Sequence, residues 1–242
     1  MKAIGVIPAR YASSRFPGKV LAKIGGKPLI QHVWEKASLC KELDEVLIAC
    51  DHTDIFKAAK DFNARVVMTD LRHPSGSDRI AEAVGALKVD IVVNIQGDEP
   101  FIDPRTIGSL CALLKQDDKV LIGTVIKKIA DDTEFKNPNV VKCVIDDQGF
   151  ALYFSRSPIP YHRSSSGTVN YKHLGLYAYR KDFLMQFKDW PKGILESTEE
   201  LEQLRVLERG VKIKTTLTDF ESIAVDTPQD LQKAQAWYDK LK

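Results

Sequence analysis

The sequence predicts an α/β fold, with a doubly wound, mostly parallel sheet and a smaller subdomain that contains a hairpin. Short apolar runs alternate with helical patterns through about residue 128, which is the order expected of βαβ units. After that point, two strand-like runs flank Asp146–Gly149, a spacing typical of a hairpin. A length of 242 residues with 44% hydrophobic residues suffices for one domain, residues 1–242, with a substantial core.

Apolar runs supply the strands of the first half of the chain. They are Ile4–Ile7, which ends at Pro8, then Leu43–Asp51, Ala64–Thr69, Asp90–Pro100 and Val120–Ile129. Between them we expect helices from Pro28 to about Cys40, from a Thr53 cap to about Phe62, over Asp78–Leu87, and from Pro104. The loop Asp70–Arg79 leads into the third of these helices.

The second half of the chain has a different rhythm. The hairpin spans residues 139–157, and a polar Ser164–Gly167 stretch is expected to be a mobile loop. The elements expected after it are a strand over Tyr171–Arg180, helices around Lys181–Phe187 and Glu199–Arg209, a strand over Lys212–Leu217, and a final helix from Thr227. Gly210 stops the second of these helices, and Glu199, Glu200 and Glu208 are expected to be solvated helix charges.

Composition excludes several classes of function. A net charge of +2, without a Lys/Arg stripe interleaved with aromatic residues, argues against nucleic acid as a partner. Cys40, Cys50, Cys111 and Cys143 lie far apart without metal or redox spacing, so we expect buried free thiols in a reducing compartment. No signal peptide and no apolar run of about 20 residues is present. We therefore expect a cytoplasmic protein that does not bind membranes.

The loop after the first strand carries a local positive charge. It contains Arg10, Arg15 and Lys19, and the first acidic residue of the chain is Glu35. Such a loop is often only solvated, but ligands gather at the carboxyl ends of strands in α/β sheets. Guanidinium forks and a lysine there suit a small polyanion. Neither the Walker pattern nor G-x-G-x-x-G is present, so a different phosphate binder is indicated.

Two aspartates are candidate metal ligands. Asp98, in QGDEP, follows the strongest strand signal, and Asp226 precedes the last helix. Asp98 is a natural Mg²⁺ ligand beside a triphosphate, although an aspartate at a strand end is usually a turn former. Asp226 or Thr227 could instead cap the last helix, with Pro228 at its first position. Spacing alone does not join the two aspartates.

These motifs resemble a known family. IPARYASSRFPGK, followed by IGGKP and LIQHV, resembles the opening of the sugar-activating nucleotidyltransferases, whose fold is Rossmann-like. QGDEP, ALYFSR and EQLRVLE make the chain most similar to the 3-deoxy-manno-octulosonate cytidylyltransferases (CMP-Kdo synthetases), from about Val6 to Leu231. The resemblance implies a homodimeric enzyme that uses Mg²⁺ to transfer CMP from CTP to 3-deoxy-D-manno-octulosonate (Kdo), releasing pyrophosphate, for lipopolysaccharide biosynthesis.

The resemblance also implies roles for individual residues. Residues 1–128 would mainly bind CTP, and residues 129–220 would mainly bind the sugar and form the dimer. The expected catalytic residues are Arg10, Lys19, Asp98 and Asp226, the last two as Mg²⁺ ligands. The expected nucleotide contacts are Pro8, Ala9, Arg10, Arg15, Lys19, Ser75, Gly76, Arg79 and Asp98. The expected contacts to the sugar are Gln96, Arg156, His173, Tyr177, Glu202 and Gln203, with Arg156 suited to the sugar carboxylate.

Two alternatives remain open at this point. The segment between Pro160 and Tyr171 is short and its HRSSSG is unlike an aromatic lid, so the sugar could be 8-amino-Kdo, and sialic acid is the substrate of a sister family. From another class, the chain could be a nucleotide-binding regulatory protein without turnover. A sensor would not need both carboxylates and all three loop cations, which favours the enzyme.

Overall fold

A computed structural model describes residues 1–13, 15–163, 169–221 and 223–241. The expected loop at Ser164–Gly167 lies outside the described residues. The strands are β1 Ala3–Ala9, β2 Lys23–Ile24, β3 Lys27–Pro28, β4 Glu45–Cys50, β5 Arg65–Met68, β6 Ile91–Asn94, β7 Ile122–Lys128, β8 Lys142–Ile145, β9 Ala151–Ser155, β10 Tyr171–Arg180 and β11 Ile213–Leu217. The helices are α1 Leu29–Ser38, α2 Thr53–Asp61, α3 Gly76–Val84, α4 Pro104–Gln116, α5 Asp132–Lys136, α6 Lys181–Phe187, α7 Ile194–Glu199, α8 Leu204–Glu208 and α9 Pro228–Lys240.

The central sheet has the order β11-β7-β10-β6-β1-β4-β5. All strands along this path run in one direction except β10, which is antiparallel to both of its neighbours. β8 pairs with β10 and β9, so the predicted hairpin is attached to the sheet through β10. The prediction of a doubly wound, mostly parallel sheet with a hairpin is confirmed.

Both faces of the sheet are covered. Along β1, Ile7 points into the apolar cluster formed with α1 and α4, while Ile4 and Val6 point into the cluster formed with α3 and α6. Because neighbouring residues of a strand face opposite sides, a strand buried on both faces is apolar throughout. This explains why the strands of the first half were detectable as continuous apolar runs.

Several boundaries differ from the prediction. β1 continues past Pro8 to Ala9, because its pairing with β6 ends at Val6 and Pro8 needs no donor on that side. His52, not Thr53, caps α2, and its imidazole accepts the hydrogen bond from the backbone N–H of Asp54. Helix α3 begins two residues before Asp78, because Ser75 is its cap.

The helix expected over Glu199–Arg209 was wrong in its boundaries. The chain forms α7 up to Glu199, and Glu200 then adopts a left-handed conformation with φ 53°. Helix α8 starts only at Leu204. The break buries Leu201 and lets Glu202 reach Ser77, so tertiary contacts outweigh the continuous helical pattern.

The four cysteines are buried free thiols, as predicted. Burial raises the pKa to about 11 for Cys40 and Cys50 and to about 12 for Cys111 and Cys143. These thiols are therefore protonated at neutral pH. Among the described residues, no helix has the length and apolar character needed to cross a membrane.

Candidate active site

A cavity of about 300 Å³ lies where β1 and β6 end. It is lined by Pro8, Arg10, Lys19, Val20, His73, Pro74, Ser75, Gly76, Arg79, Gln96, Gly97, Asp98 and Asp226. Most of the predicted nucleotide contacts therefore meet at the carboxyl edge of the sheet, where ligands of open α/β sheets bind. Ala9 is buried in β1, and Arg15 lies at the rim, 63% exposed, outside this lining.

Backbone approaches the cavity closely at Gly97. A side chain there would place its Cβ 3.0 Å from the carbonyl oxygen of Pro8. Glycine therefore lets the segment after β6 lie directly against the end of β1. This close approach brings Asp98 beside the basic loop.

The basic loop is closed by its own backbone. The Gly18 N–H donates to the carbonyl oxygen of Tyr11 at 2.9 Å, and Gly18 adopts a left-handed φ of 68°. A short 3₁₀ helix, Lys19–Leu21, follows directly. The turn directs Lys19 into the cavity instead of the solvent, which the solvated-loop alternative does not predict.

Lys19 bridges the two predicted metal ligands. Its Nζ donates to Asp98 Oδ2 at 2.6 Å and to Asp226 Oδ1 at 2.8 Å. Burial by itself would lower the pKa of Lys19, but the two carboxylates outweigh burial and raise this pKa above its usual value. Arg15 adds a second cation, with one guanidinium nitrogen 3.0 Å from Asp226 Oδ2.

The two aspartates are held together by backbone as well. The Val225 N–H donates to the carbonyl oxygen of Asp98 at 2.9 Å. Two carboxylates facing one cation are donors of the kind that Mg²⁺ takes from a protein when phosphate oxygens and water complete its coordination. Within the described ranges, no three His, Cys, Asp or Glu side chains converge on one point. Any metal at this pair would complete its coordination with water or with substrate oxygens.

The structure decides the alternative reading of Asp226. Thr227 caps α9: its hydroxyl accepts from the Asp230 N–H at 3.2 Å, and the Asp230 carboxylate accepts from the Thr227 N–H at 3.1 Å. This reciprocal capping box leaves Asp226 outside the cap. The carboxylate of Asp226 instead faces Lys19 and Arg15.

The start of α3 forms one wall of the cavity. Ser75 and Gly76 lie there, as predicted. Arg79 also lines the cavity, but its guanidinium is paired with Asp51 at 2.9 Å, and both side chains are almost completely buried. The positive charge of Arg79 is therefore balanced by Asp51 inside the protein.

The predicted sugar contacts on β10 lie beside this cavity. A register shift between Leu174 and Tyr177 interrupts the pairing of β10 with β7. Gln96, from the cavity wall, donates through Nε2 to the carbonyl oxygen of Gly175 within that shift, at 2.9 Å. The rings of His173 and Tyr177 are 5.3 Å apart. One hydrogen bond thus connects the cavity to the strand that carries both residues.

Glu202 and Gln203 lie in the turn between α7 and α8. Glu202 accepts a hydrogen bond from the Ser77 hydroxyl at 2.9 Å, and burial raises the pKa of its carboxyl above the usual value. Gln203 is 6% exposed. Its Nε2 is the one buried side-chain nitrogen or oxygen, among the residues that the structure describes, without a hydrogen-bond partner. An unpaired buried donor is costly, so a ligand that accepts from it would be favoured.

Arg156 follows β9 and is held firmly. Its Nε donates to the carbonyl oxygen of Glu199 at 2.7 Å, and its backbone N–H donates to the Glu199 carboxylate at 2.9 Å. The expectation that Glu199 is a solvated charge was therefore wrong. Glu208 is an exposed helix charge, as expected, and its carboxylate also accepts from the Leu195 N–H at 3.0 Å.

Other residues of the site were not identified from the sequence. Val20, His73, Pro74 and Gly97 all line the cavity. His73, Pro74 and Gly97 lie inside segments that the sequence analysis identified, and Val20 directly follows the basic loop. Asp51 lies in none of these motifs, and its position at the end of a strand was the only available signal.

We expect the imidazole of His173 to stay neutral from pH 8 down to about pH 5. Burial lowers its pKa from 6.5 to about 3. Between those two values the unfolded chain binds a proton that the folded chain does not, so this residue makes the fold less stable as pH falls through that range. The measurement is an NMR titration with ring-labelled histidine, with His173→Gln to assign the signal. A midpoint near pH 6 would contradict the expectation.

The chain is similar in sequence to known cytidylyltransferases. A family model described as cytidylyltransferase matches residues 4–213. The chain is 51% identical over 233 residues to a 3-deoxy-manno-octulosonate cytidylyltransferase of Solibacter usitatus, covering 96% of this chain and 92% of the relative. It is 46% identical to a protein of the same name from Geobacter sulfurreducens, with 100% of each chain covered.

Solved structures show the same similarity as the sequence relatives. The fold matches that of a CMP:2-keto-3-deoxy-manno-octonic acid synthetase complexed with CTP, with a TM-score of 0.97, 40% identity and 100% of both chains covered. A 4-diphosphocytidyl-2C-methyl-D-erythritol synthase from Anaerococcus prevotii matches with a TM-score of 0.66 at 17% identity, covering 98% of this chain and 99% of that one. The second similarity shows a shared fold alone.

Proposed function

The chain belongs to the cytidylyltransferase family, and within it to the 3-deoxy-manno-octulosonate cytidylyltransferases; on that premise we propose that it transfers CMP from CTP to Kdo. The observation that carries the proposal is the convergence of Asp98 and Asp226 on Lys19 inside one cavity. These groups come from three distant parts of the chain. A phosphate-binding cation beside two carboxylates is suited to phosphoryl chemistry.

The anomeric hydroxyl of the sugar attacks the α-phosphorus of CTP in line. The new bond joins the sugar oxygen to that phosphorus, the hydroxyl proton is released to water, the bond to the bridging oxygen of the leaving group breaks, and pyrophosphate departs. Arg10, Arg15 and Lys19 offset the negative charge of the triphosphate and of the departing pyrophosphate. Positioning and electrostatic stabilisation supply most of the rate. The product, CMP-Kdo, would supply lipopolysaccharide biosynthesis.

Asp98 and Asp226 would hold Mg²⁺. When bound, the ion supplies Lewis-acid stabilisation of the phosphate oxygens and makes the attacking hydroxyl more acidic. The two carboxylates fit this role because both face one point and each retains oxygen lone pairs. Lys19 must then exchange at least one of its carboxylate contacts for a phosphate oxygen.

The sugar would lie between the cavity and β10. Gln203 offers an unpartnered buried amide to a hydroxyl, and Glu202 offers an acceptor close to Ser77. Arg156 would bind the sugar carboxylate, with the contact of its Nε to the Glu199 carbonyl oxygen fixing the guanidinium. His173 is neutral and suited to a hydroxyl. An acidic sugar with several hydroxyls matches this set of groups.

We also propose a homodimer formed mainly through residues 129–220. Large apolar side chains remain exposed in this part of the chain, including Leu152 at 61% and Tyr161 at 88%. Such residues are typical of protein interfaces when they occur near one another. The expected compartment is the cytoplasm.

The direct test is pyrophosphate release from CTP with Mg²⁺ and either Kdo, 8-amino-Kdo, sialic acid or no sugar. We expect release with an octulosonate only. Comparison of Kdo with 8-amino-Kdo identifies the preferred sugar. Release with sialic acid would move the assignment to the sister family. CTP binding without release in any mixture would instead support the regulatory protein.

A further inference from the structure

Asp51 is buried directly behind the cavity. It follows β4, whose last residue, Cys50, is paired with Ala9 at the end of β1. Its side chain is only 2% exposed. A carboxylate taken out of water needs a cation or several hydrogen bonds to offset the loss of hydration. The partners of Asp51 therefore indicate why the chain keeps an acid at this position.

The two oxygens of Asp51 contact two different segments beside the cavity, the basic loop and α3. Oδ1 accepts the backbone N–H of Tyr11 at 2.9 Å, and Oδ2 accepts from the Arg79 guanidinium at 2.9 Å. Arg79 also donates to the Thr69 hydroxyl, which in turn donates to the Cys50 carbonyl oxygen at 3.0 Å. One carboxylate thus ties the basic loop to α3.

Tyr11 is fixed on three sides. Its N–H donates to Asp51, and its carbonyl oxygen accepts from the Gly18 N–H at 2.9 Å. Its ring stacks on that of His52 with the centroids 4.0 Å apart. Arg10 immediately precedes Tyr11, and Lys19 immediately follows Gly18. Arg10 and Lys19, which both line the cavity, are therefore each one residue from a single hydrogen-bonded pair.

We propose that Asp51 is a positioning residue for the nucleotide: it anchors Tyr11 so that Arg10 and Lys19 face the same triphosphate. The inference rests on the proposed binding of CTP in this cavity. Asp51 does not touch the nucleotide in this scheme, and Arg79 acts as its counter-ion. Loss of the anchor weakens CTP binding and leaves the sugar contacts on β10 unchanged.

The test compares two double variants that share Arg79→Met, which removes the buried cation from both. Asp51→Asn keeps a carbonyl oxygen that accepts the Tyr11 N–H, whereas Asp51→Leu removes the acceptor with little change in volume. Replacing both members of a buried ion pair avoids leaving an unpaired charge. The set also includes the single variant Arg79→Met. It further includes Asp51→Ala in the Arg79→Met background, in case the leucine does not fit.

The first measurement is amide hydrogen exchange of Tyr11 in the protein without nucleotide. We expect faster exchange in the Leu variant than in the Asn variant. The second is CTP binding at equilibrium, where the Leu variant should bind about tenfold more weakly, the effect of losing one buried hydrogen bond. The KM for the sugar should be the same in both variants.

Equal exchange at Tyr11, or equal affinity for CTP, in the two double variants would overturn the proposal. So would a parallel loss for CTP and the sugar, because that would indicate a general loosening of the fold. Exchange and CTP binding require no turnover. If the unmodified protein released no pyrophosphate with any sugar, the proposed function would fail, while these two measurements would still decide the role of Asp51.

Discussion

Replacement of Asp98 by asparagine is expected to lower the rate of pyrophosphate release by at least about 10³-fold, with CTP binding largely kept. Asparagine has nearly the same size and retains one oxygen, so the close approach at Gly97 is undisturbed. It lacks the negative charge that a divalent cation and Lys19 both require. The loss should fall on kcat, because the proposed contacts of the triphosphate with Arg10, Arg15 and Lys19 are kept.

The measurements are pyrophosphate release with saturating sugar and calorimetric binding of CTP. Asp118→Asn is the matched control, since Asp118 is 82% exposed and pairs only at the surface with Arg180. The control removes the same charge far from the cavity, and its rate should stay close to that of the unmodified protein. Turnover of Asp98→Asn near the normal rate would exclude Asp98 as a ligand of the proposed Mg²⁺.

The fold was predictable where it depends on local sequence. Strands buried on both faces, such as β1 and β6, are continuous apolar runs, and α9 has its cap and proline in the expected order. The direction of β10 was not predictable, because an alternating pattern specifies a strand face but not its neighbours. The break at Glu200 was missed for a related reason: its cause is the burial of Leu201 and the contact of Glu202 with Ser77.

The residues of the site likewise divide into those that a local motif predicts and those that only the fold brings together. Lys19 and Asp98 lie in motifs that can be recognised individually, but Lys19 and Asp226 are 207 residues apart and only the fold brings them together. Asp51 and Glu199 were missed because their roles consist entirely of contacts with distant backbone and side chains. The sequence thus identified the groups that line the cavity better than the groups that contact them from behind.

Replacement of Lys19 by methionine is expected to change two measurements in opposite directions. Turnover should fall by about 10²-fold or more, because a cation that faces developing charge on the phosphates is lost. In the absence of CTP, the same variant should bind Mn²⁺, used in place of Mg²⁺, on the order of tenfold more tightly. The reason is that the ammonium now satisfies both Asp98 and Asp226, at 2.6 and 2.8 Å, and competes with any cation for them.

Electron paramagnetic resonance of free Mn²⁺ gives the affinity, and pyrophosphate release gives the rate. Lys23→Met is the control, because Lys23 is an exposed lysine of the same basic segment that does not line the cavity. It should change neither quantity by more than a small factor.

A fall in turnover with unchanged Mn²⁺ affinity would mean that Lys19 acts on the phosphates without occupying the metal position. Tighter Mn²⁺ binding with normal turnover would mean that Lys19 competes with the cation for the two carboxylates but does not act on the phosphates. A fall in turnover together with tighter Mn²⁺ binding would identify Lys19 as a cation that leaves the carboxylates and contacts phosphate when the substrate binds.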